Sequence, residues 1–174
     1  MVTERLILRR FFPEDWRDMY EYLSDSEVVR YEPYEVFSEK DCKKEARVRS
    51  RSGDFWAVCL KSDDKLIGNM YMAKGDFDTW ELGYVFNRAY HGHGYATEAA
   101  RALISYVFAA KQAHRVIAHC TPLNERSWRL MERLGMRRES HNLKNVWFKR
   151  DGDGNPIWLD SYEYAILSHE WPTP

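Results

Sequence analysis

The chain has 174 residues, with 26 Lys and Arg against 27 Asp and Glu, a formal net charge of −1, 44% hydrophobic and 15% aromatic residues. This length suits one domain, residues 1–174, that buries its own core without a metal or disulfide staple. The charge balance excludes a dedicated nucleic-acid binder, an acidic tail and a polybasic membrane anchor, and the apolar content excludes disorder over most of the chain.

The predicted elements alternate in a simple order. Arg5–Phe12 reads as a first strand. Pro13-Glu14-Asp15 opens a helix to about Leu23 by its proline and first-turn acids. Ser38-Glu39-Lys40-Asp41 is a capping-box pattern that opens a charged helix to about Arg51. Phe55–Leu60, Leu66–Ala73 and Thr79–Phe86 read as an antiparallel meander with short polar turns. Thr97–Lys111 shows apolar residues at helical spacing. Arg115–Cys120 is a strand, and Asn124–Leu134 a short helix with Asn124 at its N-cap and Gly135 after its end. Val146–Lys149 and Trp158–Leu167 are the last strands, around a turn at 151–156. Strand, loop, helix and strand over 79–120 form a βαβ unit, so these two strands are expected to be parallel within a mostly antiparallel sheet.

Cys42, Cys59 and Cys120 are odd in number and form no C-x-x-C pair. That fits a reducing compartment and buried thiols rather than a disulfide framework. No signal-like apolar stretch opens the chain, and Ala102–Ala110 is too short for a membrane span. A cytoplasmic protein with no membrane partner and no nucleic-acid partner is the expectation. His91-x-His93 lacks a third ligand in register, and Asp151-x-Asp153-x-Asn155 lacks the glycine and closing glutamate of a calcium loop. No metal is expected.

Two motifs carry chemistry. His91-Gly92-His93-Gly94-Tyr95-Ala96-Thr97 lies between a strand and a helix. Its glycines open the backbone, and the helix start offers free N–H groups to an anion such as a pyrophosphate. A plain βα loop is the other reading. It is neither a Walker loop nor a full dinucleotide fingerprint. In the second motif, Asn124-Glu125-Arg126-Ser127, the Asn124 amide caps a helix and Ser127 sits one turn on.

Together the two motifs resemble the GNAT superfamily of acetyl-CoA-dependent N-acetyltransferases. The start, Thr3-Glu4-Arg5-Leu6-Ile7-Leu8-Arg9, and the end, Trp158 to Leu167 with Glu170-Trp171, are similar to its ribosomal-protein N-terminal acetyltransferase branch. The resemblance implies an α/β (α+β) fold with a mixed, mostly antiparallel seven-stranded sheet, a central parallel pair and flanking helices. It implies acetyl-CoA as co-substrate, with the pyrophosphate in the loop His91–Thr97. It implies that main-chain groups of Val85 and Phe86, at a bulge in the fourth strand, hold the pantetheine, that the fourth and fifth strands splay apart, and that Asn124 contacts the pantetheine. Ser127 takes the place of the proton donor to the thiolate, because the tyrosine common in the family falls at Met131. The family's Gln/Arg before the glycines is His91, whose ring is expected to serve the phosphates.

For the amine acceptor, Glu81 is the preferred general base and Asp160 the runner-up, acting through a water. Main-chain N–H groups near Val85 would meet the oxyanion. Tyr31–Phe37, with Trp16 and Trp80, suggest an aromatic, acidic mouth for a cationic amine. The acceptor is expected to be a protein or peptide N-terminal α-amine. A small amine (polyamine, amino acid or antibiotic) is the alternative, and a non-catalytic acyl-CoA-binding module is the rival class. C-terminal edge strands leave a homodimer open.

Overall fold

A computed structural model describes residues 1–172. Its elements run β1 (Leu6–Arg9), α1 (Trp16–Leu23), α2 (Glu39–Arg51), β2 (Phe55–Leu60), β3 (Leu66–Lys74), β4 (Thr79–Phe86), α3 (Tyr95–Lys111), β5 (Arg115–Cys120), α4 (Glu125–Arg133), β6 (Arg137–Arg150) and β7 (Pro156–Leu167), with three short 3₁₀ turns. The expected order holds throughout. Pro13–Asp15 forms a 3₁₀ turn ahead of α1 rather than its first turn, and α3 starts at Tyr95 instead of Thr97.

The seven strands form one sheet in the order β1-β2-β3-β4-β5-β7-β6. Only β4 and β5 are parallel, paired from Thr79↔Arg115 to Glu81↔Ile117. Beyond Glu81 the two strands separate, although β4 continues to Phe86 and β5 to Cys120. The β4 backbone past Leu82 is thereby freed on its β5 side. The splay implied by the resemblance is present. The bulge is not: β3 and β4 pair without a register shift from Gly68↔Phe86 to Lys74↔Trp80.

Alternation along β4 sends side chains to opposite faces. Leu82 and Phe86 join the core beneath α3 and α4, with Ala99, Leu103, Ile104 and Leu130. Val85 joins the smaller core under α1 and α2, with Met19, Tyr22, Cys42 and Ala46. Gly68 of β3 lets the end of β4 come close. A Cβ there would stand 2.6 Å from the Val85 carbonyl and 2.7 Å from the Phe86 ring.

The largest departure from expectation is β6. It begins at Arg137, not near Val146. Residues 137–145 are almost wholly polar, and as an edge strand exposed along most of its length β6 needs no apolar alternation. Its pairing with β7 shifts register repeatedly. The Asp151 carboxylate accepts the amides of Asp153 and Asn155, so the calcium-like pattern is a turn. Among the described residues no helix is long and apolar enough to cross a membrane.

Candidate active site

The glycine loop folds back on itself at the head of α3. Gly92 and Gly94 both adopt φ of +81°, which disfavours any side chain. Gly94 is the N-cap of α3 and no side chain caps that helix. The first-turn amides, Tyr95 to Thr97, are left to an outside acceptor. Arg5, just ahead of β1, secures the loop. Its guanidinium donates to His93 O at 2.9 Å and to Glu98 Oε2 at 2.7 Å, and it stacks on the Tyr95 ring.

A groove of about 990 Å³ runs from this loop along the freed edge of β4 to α4. Val85, Phe86, His91, Gly92, Gly94, Tyr95, Ala96, Thr97, Asn124 and Ser127 all line it. His93 does not: its Nδ1 bonds His91 O at 2.9 Å and its ring stacks on Tyr95. The His91 ring is also engaged. Nε2 donates to Phe86 O at 3.0 Å, and Nδ1 accepts from Arg126 Nη1 at 3.0 Å. Burial holds this imidazole below its usual pKa, so it is neutral and orients Arg126. Both ring nitrogens of His91, expected to serve the phosphates, are hydrogen-bonded within the protein. Arg30, Arg88, Arg126, Arg129 and Arg133 line the groove against Glu27, Glu32 and Glu125. Free amides, a side-chain-free turn and excess guanidinium fit a nucleotide bearing phosphates and a thin polar arm.

A second cavity, of about 870 Å³, opens on the other side of the β4–β5 gap. Its acids are Glu32, Glu45, Glu81, Asp160 and Glu163, and its rings include Tyr31, Tyr34, Phe55, Tyr71, Tyr84 and Phe148. Arg49, its buried cation, is neutralised from α2 by Glu45 at 2.8 Å and donates to Asn69 Oδ1 at 2.9 Å. Of the expected aromatic mouth, Tyr31, Pro33 and Tyr34 line this cleft. Trp16 and Trp80 do not: Trp16 stacks with Arg17 and Lys43, and Trp80 packs against the core on the far face of the sheet.

Glu81 stands on the sheet floor beside the gap and lines the cleft, not the groove. Its Oε1 lies 3.1 Å from His119 Nδ1, and His119 Nε2 lies 3.4 Å from Glu163 Oε2. This row crosses β4, β5 and β7. The His119 hydrogen bond holds the Glu81 carboxyl below its usual range, and the same bond raises His119. Glu81 is half-exposed rather than buried. Asp160, the runner-up, lines the same cleft. Its two oxygens take the Lys144 amide at 2.9 Å and His141 Nε2 at 3.1 Å, tying β7 to β6, and both interactions lower its pKa.

The groove and the cleft meet at six shared residues: Tyr31, Glu32, Tyr84, Val85, Asn124 and Ser127. Asn124 Oδ1 caps α4 by accepting Ser127 N–H at 3.3 Å. Ser127 is nearly buried, and its Oγ lies 2.9 Å from Tyr84 Oη. Tyr84 also donates to Ser127 O at 3.0 Å. Burial raises the Tyr84 phenol, which stays protonated. Met131, where the family's tyrosine is expected, is fully buried in the core. Tyr84, His119 and Glu163 were not singled out from the sequence. The period of β4 marks Tyr84 as a core-facing residue like Leu82 and Phe86, and nothing local shows that its hydroxyl meets α4.

The chain matches the family model described as acetyltransferase (GNAT) domain over residues 5–137. The chain belongs to the GNAT acetyltransferases. It is 43% identical to an uncharacterized N-acetyltransferase of Bacillus subtilis, YnaD, with 98% of each chain covered. The crystal structure of a GNAT-family acetyltransferase from Bacillus anthracis superposes with a TM-score of 0.89 at 39% identity, covering 98% of this chain and 99% of that one. The [ribosomal protein uS5]-alanine N-acetyltransferase of Escherichia coli is 26% identical over 98% of this chain and 92% of its own. The GNAT chain described here is therefore an N-acetyltransferase, an enzyme and not a mere acyl-CoA-binding module, with acetyl-CoA as donor and an amine as acceptor.

Proposed function

We propose that this GNAT enzyme transfers the acetyl group of acetyl-CoA directly to a primary amine that enters the acidic cleft as a cation. The observation that carries this reading is the meeting of two cavities of opposite charge at Tyr84, Asn124 and Ser127. The pyrophosphate lies on the loop 91–97 and the α3 N-terminus, with Arg126 beside it. Main-chain groups of Val85 and Phe86 hold the pantetheine at the splayed edge of β4, and Asn124 meets it from α4. A main-chain N–H there faces the developing oxyanion. Ser127, held by Tyr84, gives its proton to the departing thiolate. Glu81 and Glu163, bridged by His119, draw the ammonium to the sheet floor.

The acceptor proposed first is a peptide or protein N-terminal α-amine, supported by likeness to the uS5-alanine enzyme over nearly the whole chain. A small di- or polyamine is the second reading, favoured by Glu32, Glu81, Asp160 and Glu163 around one cleft. Isotope-labelled acetyl-CoA with a panel of peptides and polyamines tests both. Label on peptide N-termini supports the first reading, and label on small amines alone replaces it by the second.

A further inference from the structure

The loop between α1 and α2 brings one carboxyl to the junction of groove and cleft. Glu32 lies in the wall that the two cavities share, and its N–H donates to Val29 O at 3.0 Å in a turn that fixes it there. The other acids of the cleft are committed elsewhere. Glu45 pairs with Arg49, Glu81 with His119, Glu163 with Arg115 and His119, and Asp160 with His141 and the Lys144 amide. Glu32 is paired with none of these cations. The groups that face it are Tyr34 of its own loop, Arg49 of α2 and Tyr84 of β4.

We propose that Glu32 is the group that takes the proton from the incoming ammonium. Burial pushes its carboxyl up to about 7, and Tyr34 and Arg49 offset this only in part. A base poised near the working pH combines an available carboxylate with a useful proton affinity. Glu81, held low by His119, offers the first without the second.

The proton count closes. The ammonium gives one proton to the Glu32 carboxylate, which becomes a neutral acid. The freed nitrogen lone pair attacks the thioester carbonyl carbon. The C–N bond forms and the C–S bond breaks. The leaving thiolate takes the Ser127 hydroxyl proton, and Ser127 regains one from the nitrogen that has become an amide. Glu32 then passes its proton to water, leaving amide, free thiol and one released proton.

This inference rests on the cleft being the amine site. The test compares wild type, Glu32→Gln and Glu32→Asp with a peptide and a diamine as acceptors. In the wild type, kcat/KM is expected to rise through a pH of about 7 and to fall again where the amine itself ionises. Glu32→Gln is expected to lose about 10²–10⁴-fold at neutral pH while binding acetyl-CoA as the wild type does. Its profile then follows the amine alone, and Glu32→Asp recovers part of the rate. A limb near 7 that survives in Glu32→Gln, or a loss confined to KM, overturns the assignment. Absence of transfer to any amine by the wild type, with acetyl-CoA bound, overturns the cleft reading instead. A ¹³C carboxyl titration, read as the difference between wild type and Glu32→Gln, separates the two failures. A carboxyl titrating near 7 supports Glu32, and one near the reference value of about 4 rejects it.

Discussion

The groove along α3 and α4 and the cleft across the β4–β5 gap differ in charge but share a wall. The groove carries Arg30, Arg88, Arg126, Arg129 and Arg133 against Glu27, Glu32 and Glu125, and a helix N-terminus without a side-chain cap. The cleft carries Glu32, Glu81, Asp160 and Glu163, with its buried arginine neutralised by Glu45. A chain of net charge −1 thus divides its charge into two local fields. The proposed function places one of two oppositely charged substrates in each, and six shared residues are where the cavities meet. Overall neutrality says nothing about a site, because the field a ligand meets is set within a Debye length of about 10 Å.

The largest loss is expected at the shared wall. Removal of the Ser127 hydroxyl in Ser127→Ala is expected to lower kcat about 10²-fold and leave the acetyl-CoA Kd unchanged. Equal turnover of the two proteins would remove Ser127 from the proton path. Tyr84→Phe, which only loosens Ser127, should cost less than Ser127→Ala in the same assay.

On the groove side, Gly94→Trp forces a bulky side chain into left-handed backbone, 3.5 Å from Arg5 at its Cβ. Relief of that strain, about 1–2 kcal/mol, moves the loop out of its left-handed turn, so acetyl-CoA affinity by calorimetry should fall about tenfold or more. Unchanged affinity would take the loop out of the groove's function.

The two fields sharpen apart through single charges. Arg126→Gln should weaken acetyl-CoA about two- to fivefold, by about 0.5–1 kcal/mol, and leave the amine KM alone. Glu163→Gln should do the reverse, raising the amine KM by a similar factor, with both effects shrinking in high salt. A variant that moved both constants equally would mean the cavities are not separate.

The smallest effect is expected from pH. His119 is raised by Glu81 and Glu163, so its charge and the stability of that row persist below the usual imidazole value and fade as pH rises through the raised one. Glu81 is lowered, so its contribution holds above the ordinary carboxylate value and fades as pH falls through the lower one. The row is therefore intact at weakly acidic pH. Thermal melts of wild type and His119→Ala should differ most there and converge at alkaline pH. A difference that grew with pH would reverse the sign of the coupling.

Much of the fold was legible because local chemistry and burial agree. The Ser38 capping box forms as read: the Ser38 hydroxyl takes the Asp41 amide and the Asp41 carboxylate takes the Ser38 amide. The meander strands fall where the apolar runs and short polar turns placed them. The polar edge strand β6 was largely missed, since its hydrogen bonds come from β7 and its side chains from no pattern. Within the site, backbone features were the readable part. The glycine loop and the Asn124 cap follow from residue type and spacing alone, whereas His91 and Asp160 turned out to be bound to neighbours remote in sequence.

Residue type and spacing alone fix the order of elements, the parallel strand pair, the uncapped start of α3 and the family. These depend on backbone freedom, period and short-range hydrogen bonds, all encoded within a few residues. The side-chain contacts come from packing: His119 bridges Glu81 and Glu163, Tyr84 holds Ser127, and Glu32 stands between the two cavities. A proton affinity is set by burial and by neighbours in space, and strands β4, β5 and β7 and the α1–α2 loop become neighbours only when the sheet is closed.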